Sequence, residues 1–376
     1  MFGDDQKPMD RRNFLKAAGA MLGATILAGA ASACSSSAAP QAAATAAPAG
    51  AAAAATKPAA AAATTAPAIA SAAGKGKVIR VASVVAPGGA VEKCVNDFSK
   101  MISEKTNGEF TAQAFLGGQL GGEIQMIDLH AMGSPEVVVF GNAVVSCVVP
   151  EYGLVLDTPY LLRSIDHYRK VVDGPLGQPI KDGILQRKSI RVVAYCNRGP
   201  RYLTSNKPVS VPADLKGMKM RVPEVEAYVA AWKMLGAIPT AMAMTELYLA
   251  LKQGTVEAQE NPYELIYTSK YYEVQKYVNQ TAHIIAGYMI SASDKWLQSL
   301  PQDQQKIVLD SLVEMGKSED KYQKEDEVGY EAKLKELGMT FNPVDLDKFR
   351  EALKDLPKQF VDRWKPGFYE SVQGAA

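Results

Sequence analysis

The residues of this chain that could do chemistry point to anion recognition rather than to bond making. Three His in 376 residues leave little material for imidazole acid/base catalysis or a zinc centre. No GxSxG elbow, HExxH helix, P-loop GK[ST] or GxGxxG start is present, so the common nucleophile, metal and phosphate signatures are missing. The run from Gly117 to Gly122 is glycine-rich but lacks the lysine of a phosphate loop. Beyond Cys34, the cysteines Cys94, Cys147 and Cys196 show no CxxC spacing. They read as small apolar core residues, with one disulfide among them left open outside the cytoplasm. No metal, cofactor or catalytic residue is assigned. What remains is arginine. Arg221 falls at the carboxyl end of a strand expected over 218–222. A planar guanidinium there can make two parallel hydrogen bonds to a carboxylate, a geometry that lysine cannot reproduce.

The elements that must hold this arginine read as α/β. Residues 78–85 form a β-branched run, after which Val91, Cys94, Val95, Phe98, Met101 and Ile102 recur at helical spacing,. Asn107-Gly108 makes a turn, 110–115 a second strand, Gly121-Gly122-Glu123 opens a second helix, and 137–140 is a buried third strand. This βαβαβ run implies a parallel sheet covered by helices, with ligands beyond the carboxyl ends of the strands. Residues 85–89, 116–119 and 141–142 are therefore expected to line one wall. A second α/β run follows, with strands at 190–195, 201–205, 218–222 and 256–259 and helices at 224–235 and 245–253. The C-terminal third reads as helical. Its segment 317–336 has 12 charged residues in 20 and is read as the solvated face of a long helix.

The first fifth belongs to neither run. Arg11-Arg12-Asn13-Phe14-Leu15-Lys16 matches the twin-arginine signal pattern, and an uncharged Ala/Gly-rich stretch follows to Ala33,. Residues 1–33 are therefore expected to be a cleaved signal peptide. Ala31-Ser32-Ala33-Cys34 reads as a lipobox, with Cys34 lipidated, or as a plain signal-peptidase site. Residues 35–74 hold 23 Ala with scattered Thr and Pro, and 34–76 is expected to be a disordered tether to the membrane. Lys+Arg number 41 against 40 Asp+Glu, net +1. That near-neutrality excludes an electrostatic nucleic-acid binder.

The run DLKGMKMRVPE at 214–224 resembles the DLKGxKxRVPE segment of the TRAP (tripartite ATP-independent periplasmic) transporter solute-binding proteins of the DctP family. QLGGE at 119–123 is similar to that family's QLGxE, LDTPYL at 156–161 to its LDxPFL, and GPR at 199–201 to its GxR. GTVEAQENP at 254–262 is similar to GxVDGQENP, and YYEVQKY at 271–277 to FYEVQKY. The similarity spans essentially all of 77–376. The resemblance implies a two-lobed, class II periplasmic-binding-protein-like fold whose hinged cleft closes on a small organic acid. It also implies delivery to separate small and large permease subunits driven by an ion gradient, without catalysis. Lobe 1 is expected at 77–198 plus 287–326 and lobe 2 at 199–286 plus 327–376. By the same resemblance Arg221 clamps the ligand carboxylate, Arg201 assists, and Asn261 adds a hydrogen bond. Glu224, Met244, Asn142 and Tyr288 fall where relatives face the cleft, Met244 standing where the family commonly has Phe. Residues 85–89 lack the polar groups often found after the first strand, which points to an acid with an apolar or aromatic body. The rival reading is the substrate-binding lipoprotein of an ABC importer, which shares the two-lobed architecture.

Overall fold

The computed structural model describes residues 76–375. The expected signal peptide, Cys34 and all of the tether but Gly76 lie outside the described residues. Two sheets organise the described part. The first begins with β1 (Lys77–Ala82), α1 (Ala90–Lys105), β2 (Phe110–Phe115), α2 (Glu123–Ala131) and β3 (Val137–Gly141). Both crossovers are helical, and β1 pairs parallel with β2 and β3. Helix α1 forms because Val91, Cys94, Val95, Phe98 and Ile102 make one apolar stripe, and all five are buried against the sheet,.

Four helices follow: α3 (Ala143–Val148), α4 (Pro150–Leu156), α5 (Ile165–Asp173) and α6 (Gln178–Lys188). Ser164 caps α5 by accepting from the His167 amide,. Strand β4 (Ile190–Pro200) is longer than the expected 190–195 because it continues to the point where the chain leaves the first sheet. The second sheet then takes β5 (Tyr202–Ser205) and β6 (Lys219–Val222), followed by α7 (Glu226–Met234), β7 (Ile238–Ala241), α8 (Met244–Lys252), β8 (Ala258–Asn261), α9 (Tyr263–Thr268) and β9 (Tyr277–Asn279). The chain returns through β10 (Ile285–Ser293) to the first sheet. The short α10 (Asp294–Leu297) and the 35-residue α11 (Gln302–Glu336) lead to β11 (Thr340–Asn342), α12 (Leu346–Leu353) and α13 (Phe368–Gly374). Strand orders are β2-β1-β3-β10-β4 and β11-β9-β5-β8-β6-β7. The first sheet is mixed, because β10 enters antiparallel between β3 and β4.

Helix α11, about 50 Å long at the usual rise, joins both halves. Val308, Leu312 and Met315 pack into the core of the first sheet, Tyr330 and Leu334 into that of the second. Its charged segment is not wholly solvated, since Glu319, Gln323, Tyr330 and Leu334 form a buried stripe. The C-terminal segment also touches both halves: α12 packs on α7, and Phe368 of α13 meets Tyr152 of α4 edge-on at 5.0 Å. Cys94 and Cys196 are buried free thiols, but Cys147 is exposed. Val144, Val145 and Val148 occupy the buried face of α3 and leave that cysteine outside. Among the described residues no helix is long and apolar enough to cross a membrane.

Candidate functional site

Two adjoining cavities of about 30 Å³ each lie where the ends of the two sheets meet, and they share Glu123, Ala143, Arg221, Pro223 and Met244. One also meets Asn142, Arg198, Arg201 and Asn261, the other Cys147 and Glu224. Six of the seven residues expected at the site line these cavities: Arg221, Arg201, Asn261, Glu224, Met244 and Asn142. Tyr288 does not. It is fully buried behind the cavity, where its hydroxyl donates to Glu264 Oε2 at 2.9 Å and its ring backs the Arg198 guanidinium at 4.5 Å. Strand β10 is buried along its whole length, so an aromatic ring there is covered whichever face it takes.

Arg221 is positioned by β6, whose neighbours are β7 and β8. Its Nε donates to the Met242 carbonyl at 2.9 Å, and among the described residues its terminal nitrogens have neither a hydrogen bond nor an ion pair. Burial holds its pKa below the ordinary guanidinium value, the expected direction for a cation taken out of water.

Arg201 is different. Its Nε and an Nη donate to the two Glu260 oxygens at 2.5 and 2.7 Å, and the Nη also reaches Asn261 Oδ1 at 3.0 Å. His283 Nε2 lies 3.0 Å from the same Glu260 carboxylate, and its Nδ1 lies 3.0 Å from Thr281 Oγ1, which accepts from the Leu203 amide. That chain of donors assigns a neutral His283 with its proton on Nε2, and burial lowers the imidazole pKa accordingly. Although burial opposes it, the Arg201 guanidinium holds the Glu260 carboxyl down at about 2. Asn261 is drawn into this network too, donating from Nδ2 to Gln259 at 2.6 Å. The expected assisting arginine is thus already neutralised by the protein.

Sequence reasoning missed Arg198 and Glu123. Glu123 is the first residue of α2, and its Oε1 accepts from the Gly141 amide at 2.8 Å. Arg198 and Arg201 are three apart on an extended chain, which by simple alternation puts them on opposite faces. The register shows why they share a cavity. Gly287 pairs with Asn197 and Ala286 with Gly199, so Arg198 is the extra residue of a β-bulge, and Gly199 has φ +83°,. A glycine preceded by a polar residue near a strand end was the signal available. Of the loops expected to line the wall, 141–142 does, whereas 85–89 and 116–119 do not. The wall is polar through Glu123, Asn142 and Arg198, so it offers no support for an apolar or aromatic ligand body.

A wider opening of about 620 Å³ is lined by Asp166, Arg169, Asn197, Asp320 and Lys324 among others. Its arginine is committed to Asp173 and Asp320. Cys196, Glu319 and Asp320 bring ligand-type atoms within 4.8 Å of one another. Burial pushes that thiol and the Glu319 carboxyl well up, and Asp320 already accepts from the Asn197 amide at 2.6 Å. These are poor terms for a cation.

The family model for bacterial extracellular solute-binding protein, family 7 (DctP), matches residues 81–363. A solute-binding protein of Roseobacter denitrificans is 34% identical over 258 residues, covering 69% of this chain and 79% of the relative. The crystal structure of a TRAP periplasmic solute-binding protein from that organism with bound L-galactonate is similar at a TM-score of 0.74 and 31% identity, covering 79% of this chain and 98% of that one. One from Sulfurospirillum deleyianum with bound succinate is similar at 0.76 and 28%, covering 80% and 99%.

Proposed function

The chain belongs to the DctP family of bacterial extracellular solute-binding proteins, and from that membership we propose that it is the extracytoplasmic receptor of a TRAP transporter for a small organic acid. The observation that carries the ligand class is Arg221, a buried guanidinium whose terminal nitrogens have no partner among the described residues, in a cavity bounded by both sheets. A carboxylate supplies the charge and the paired acceptors that such a group lacks. Neighbours crystallised with L-galactonate and succinate support the same class. Room of about 30 Å³ holds little more than a water molecule,, so a sugar acid or diacid enters when the lobes separate and is enclosed when they close. The chain crosses between the sheets at 198–202, at 280–284 and along α11. Those crossings suit the lobe limits of 77–198 plus 287–326 and 199–286 plus 327–376, which we keep as our assignment.

In this reading the closed receptor presents its ligand to small and large permease subunits, and a lipid on Cys34 keeps it at the outer face of the membrane. The family is a transport family rather than an enzyme class, and no observation favours the ABC-importer alternative. Thermal-shift screening of the purified protein against galactonate, succinate and a wider set of carboxylates tests the ligand class. A bound acid at a hundred times its Kd should stabilise by about 2.7 kcal/mol. Stabilisation by neutral or cationic solutes alone would remove the proposal. The mass of the mature protein tests Cys34.

A further inference from the structure

Arg198 has no role in the clamp just described. Its side chain is 6% exposed, yet among the described residues it makes no ion pair and no hydrogen bond, and its Nε is a buried donor without a partner. Asn142 Nδ2 is in the same state, on a side chain that is 4% exposed. Both residues line the cavity that holds Arg221. Two buried donors without acceptors on one wall are costly to the fold unless a ligand supplies the oxygens.

The surroundings narrow the kind of oxygen. Behind Arg198 the Tyr288 ring supports the guanidinium, and the Tyr288 hydroxyl is committed to Glu264. In front, the chain has a glycine. A Cβ on Gly141 would lie 3.1 Å from Arg198 Nη1 and 3.3 Å from Glu123 Oε1. A donor and an acceptor thus flank a position that has no side chain, and Asn142 adds a second donor at the next residue. A second carboxylate there would face the Glu123 carboxylate, and a methylene would satisfy none of the three groups. An alcohol both donates and accepts, so it matches the set.

We propose that Glu123, Arg198 and Asn142, arranged around Gly141, form a hydroxyl-recognising subsite that makes this receptor select hydroxy acids whose alcohol lies close to the carboxylate held by Arg221. The inference rests on the carboxylate reading above and adds a specificity that the reading does not contain.

The test is calorimetric titration of the purified mature protein with matched acids: galactonate and 2-deoxygalactonate, malate and succinate, 2-hydroxybutyrate and butyrate. In each pair that binds, the wild type should hold the hydroxylated member at least about tenfold more tightly. In Arg198→Met and in Gly141→Ala that preference should shrink to about twofold or less, the usual size of an effect without a hydrogen bond to lose. Arg198→Met also removes the contact with the Tyr288 ring, so its ligand-free melt serves only to show that the variant is folded when its preference is read. Equal affinities within the wild-type pairs overturn the inference and leave the carboxylate reading standing. So does an Arg198→Met variant that keeps the full preference, or that weakens both members equally, which would place its guanidinium on the carboxylate itself. Absence of binding by any acid in the panel, with neutral solutes bound instead, overturns the carboxylate reading and this inference together.

Discussion

The corner around Arg201 and the corner around Arg221 and Arg198 use the same side chain at nearly the same burial, 4%, 4% and 6% exposed. Arg201 is met by both oxygens of Glu260, which in turn is met by His283. Arg221 and Arg198 face the cavity, and among the described residues neither has a counter-charge in contact. A buried guanidinium with a carboxylate on its fork is a closed unit of the fold. One without a partner bears a desolvation cost that protein–protein contacts do not offset, and such residues gather where a ligand completes them. Burial and residue type alone cannot separate the two corners, whereas the list of partners can.

Arg201→Ala should strain that comparison most. It strands Glu260 as a buried charge, and denaturant unfolding should show a loss of about 3–5 kcal/mol. A variant that keeps its stability and loses ligand binding instead would move Arg201 to the other corner.

Next comes a pair of acids near Arg201 that differ in the same way. Glu260 is paired and held at about 2, below its ordinary 4.5, so its contribution to stability is present above 4.5 and lost as pH falls toward 2,. Asp157 forms no ion pair among the described residues, and burial raises its pKa from 3.8 to about 7 although Ser146 donates to it at 2.5 Å and Arg201 lies near enough to oppose the rise. Its contribution is complete below 3.8 and lost as pH rises toward 7,. Asp157→Asn should therefore flatten the fall in stability between those values and gain up to about 4 kcal/mol at pH 8. Equal pH profiles for variant and wild type in thermal melts would show that Asp157 has an unnoticed partner.

A smaller effect is expected at the open corner. Arg221→Ala and Arg221→Lys should weaken binding of the wild-type ligand by about tenfold to a hundredfold, without the stability loss of Arg201→Ala. Unchanged affinity by calorimetry would take Arg221 out of the site. Smallest is the response of Cys147, which shares a cavity with Arg221 and Glu224. Although Cys147 reaches solvent, the protein packed around it, with carboxylates at Asp157, Glu123 and Glu224, pushes its thiol up to about 12, so alkylation should be slower than for a free cysteine, and bound ligand should slow it further. Cys94 and Cys196 should react only on unfolding. Mass spectrometry of the labelled protein distinguishes the three.

How far the sequence could be read depended on periodicity. Helix α1 and strands β2 and β3 followed from local patterns that tertiary contacts did not alter. Strand β1 stops at Ala82 rather than Val85, and β4 runs five residues past its apolar pattern. In both cases the end is decided by which neighbour the strand pairs with. Arg221 could be singled out as a candidate from its strand end and its guanidinium, and it lines both cavities. Tyr288 was placed by analogy at the cleft and lies behind it. Arg198 could not be found by alternation, because the bulge opposite Ala286 and Gly287 breaks the period of two at that residue.

The residue order by itself determined the α/β class and the family and singled out Arg221 as the candidate clamp, since those readings rest on local spacing and on short runs of residues. Only the tertiary structure decided which guanidiniums are free. Whether an arginine pairs with a carboxylate depends on chain crossings that bring residues 201, 260 and 283 into contact and leave 198 and 221, among the described residues, without an ion pair although Glu123 shares their cavity. Electrostatic pairing acts over a few ångströms of space, and distance along the chain is no measure of it.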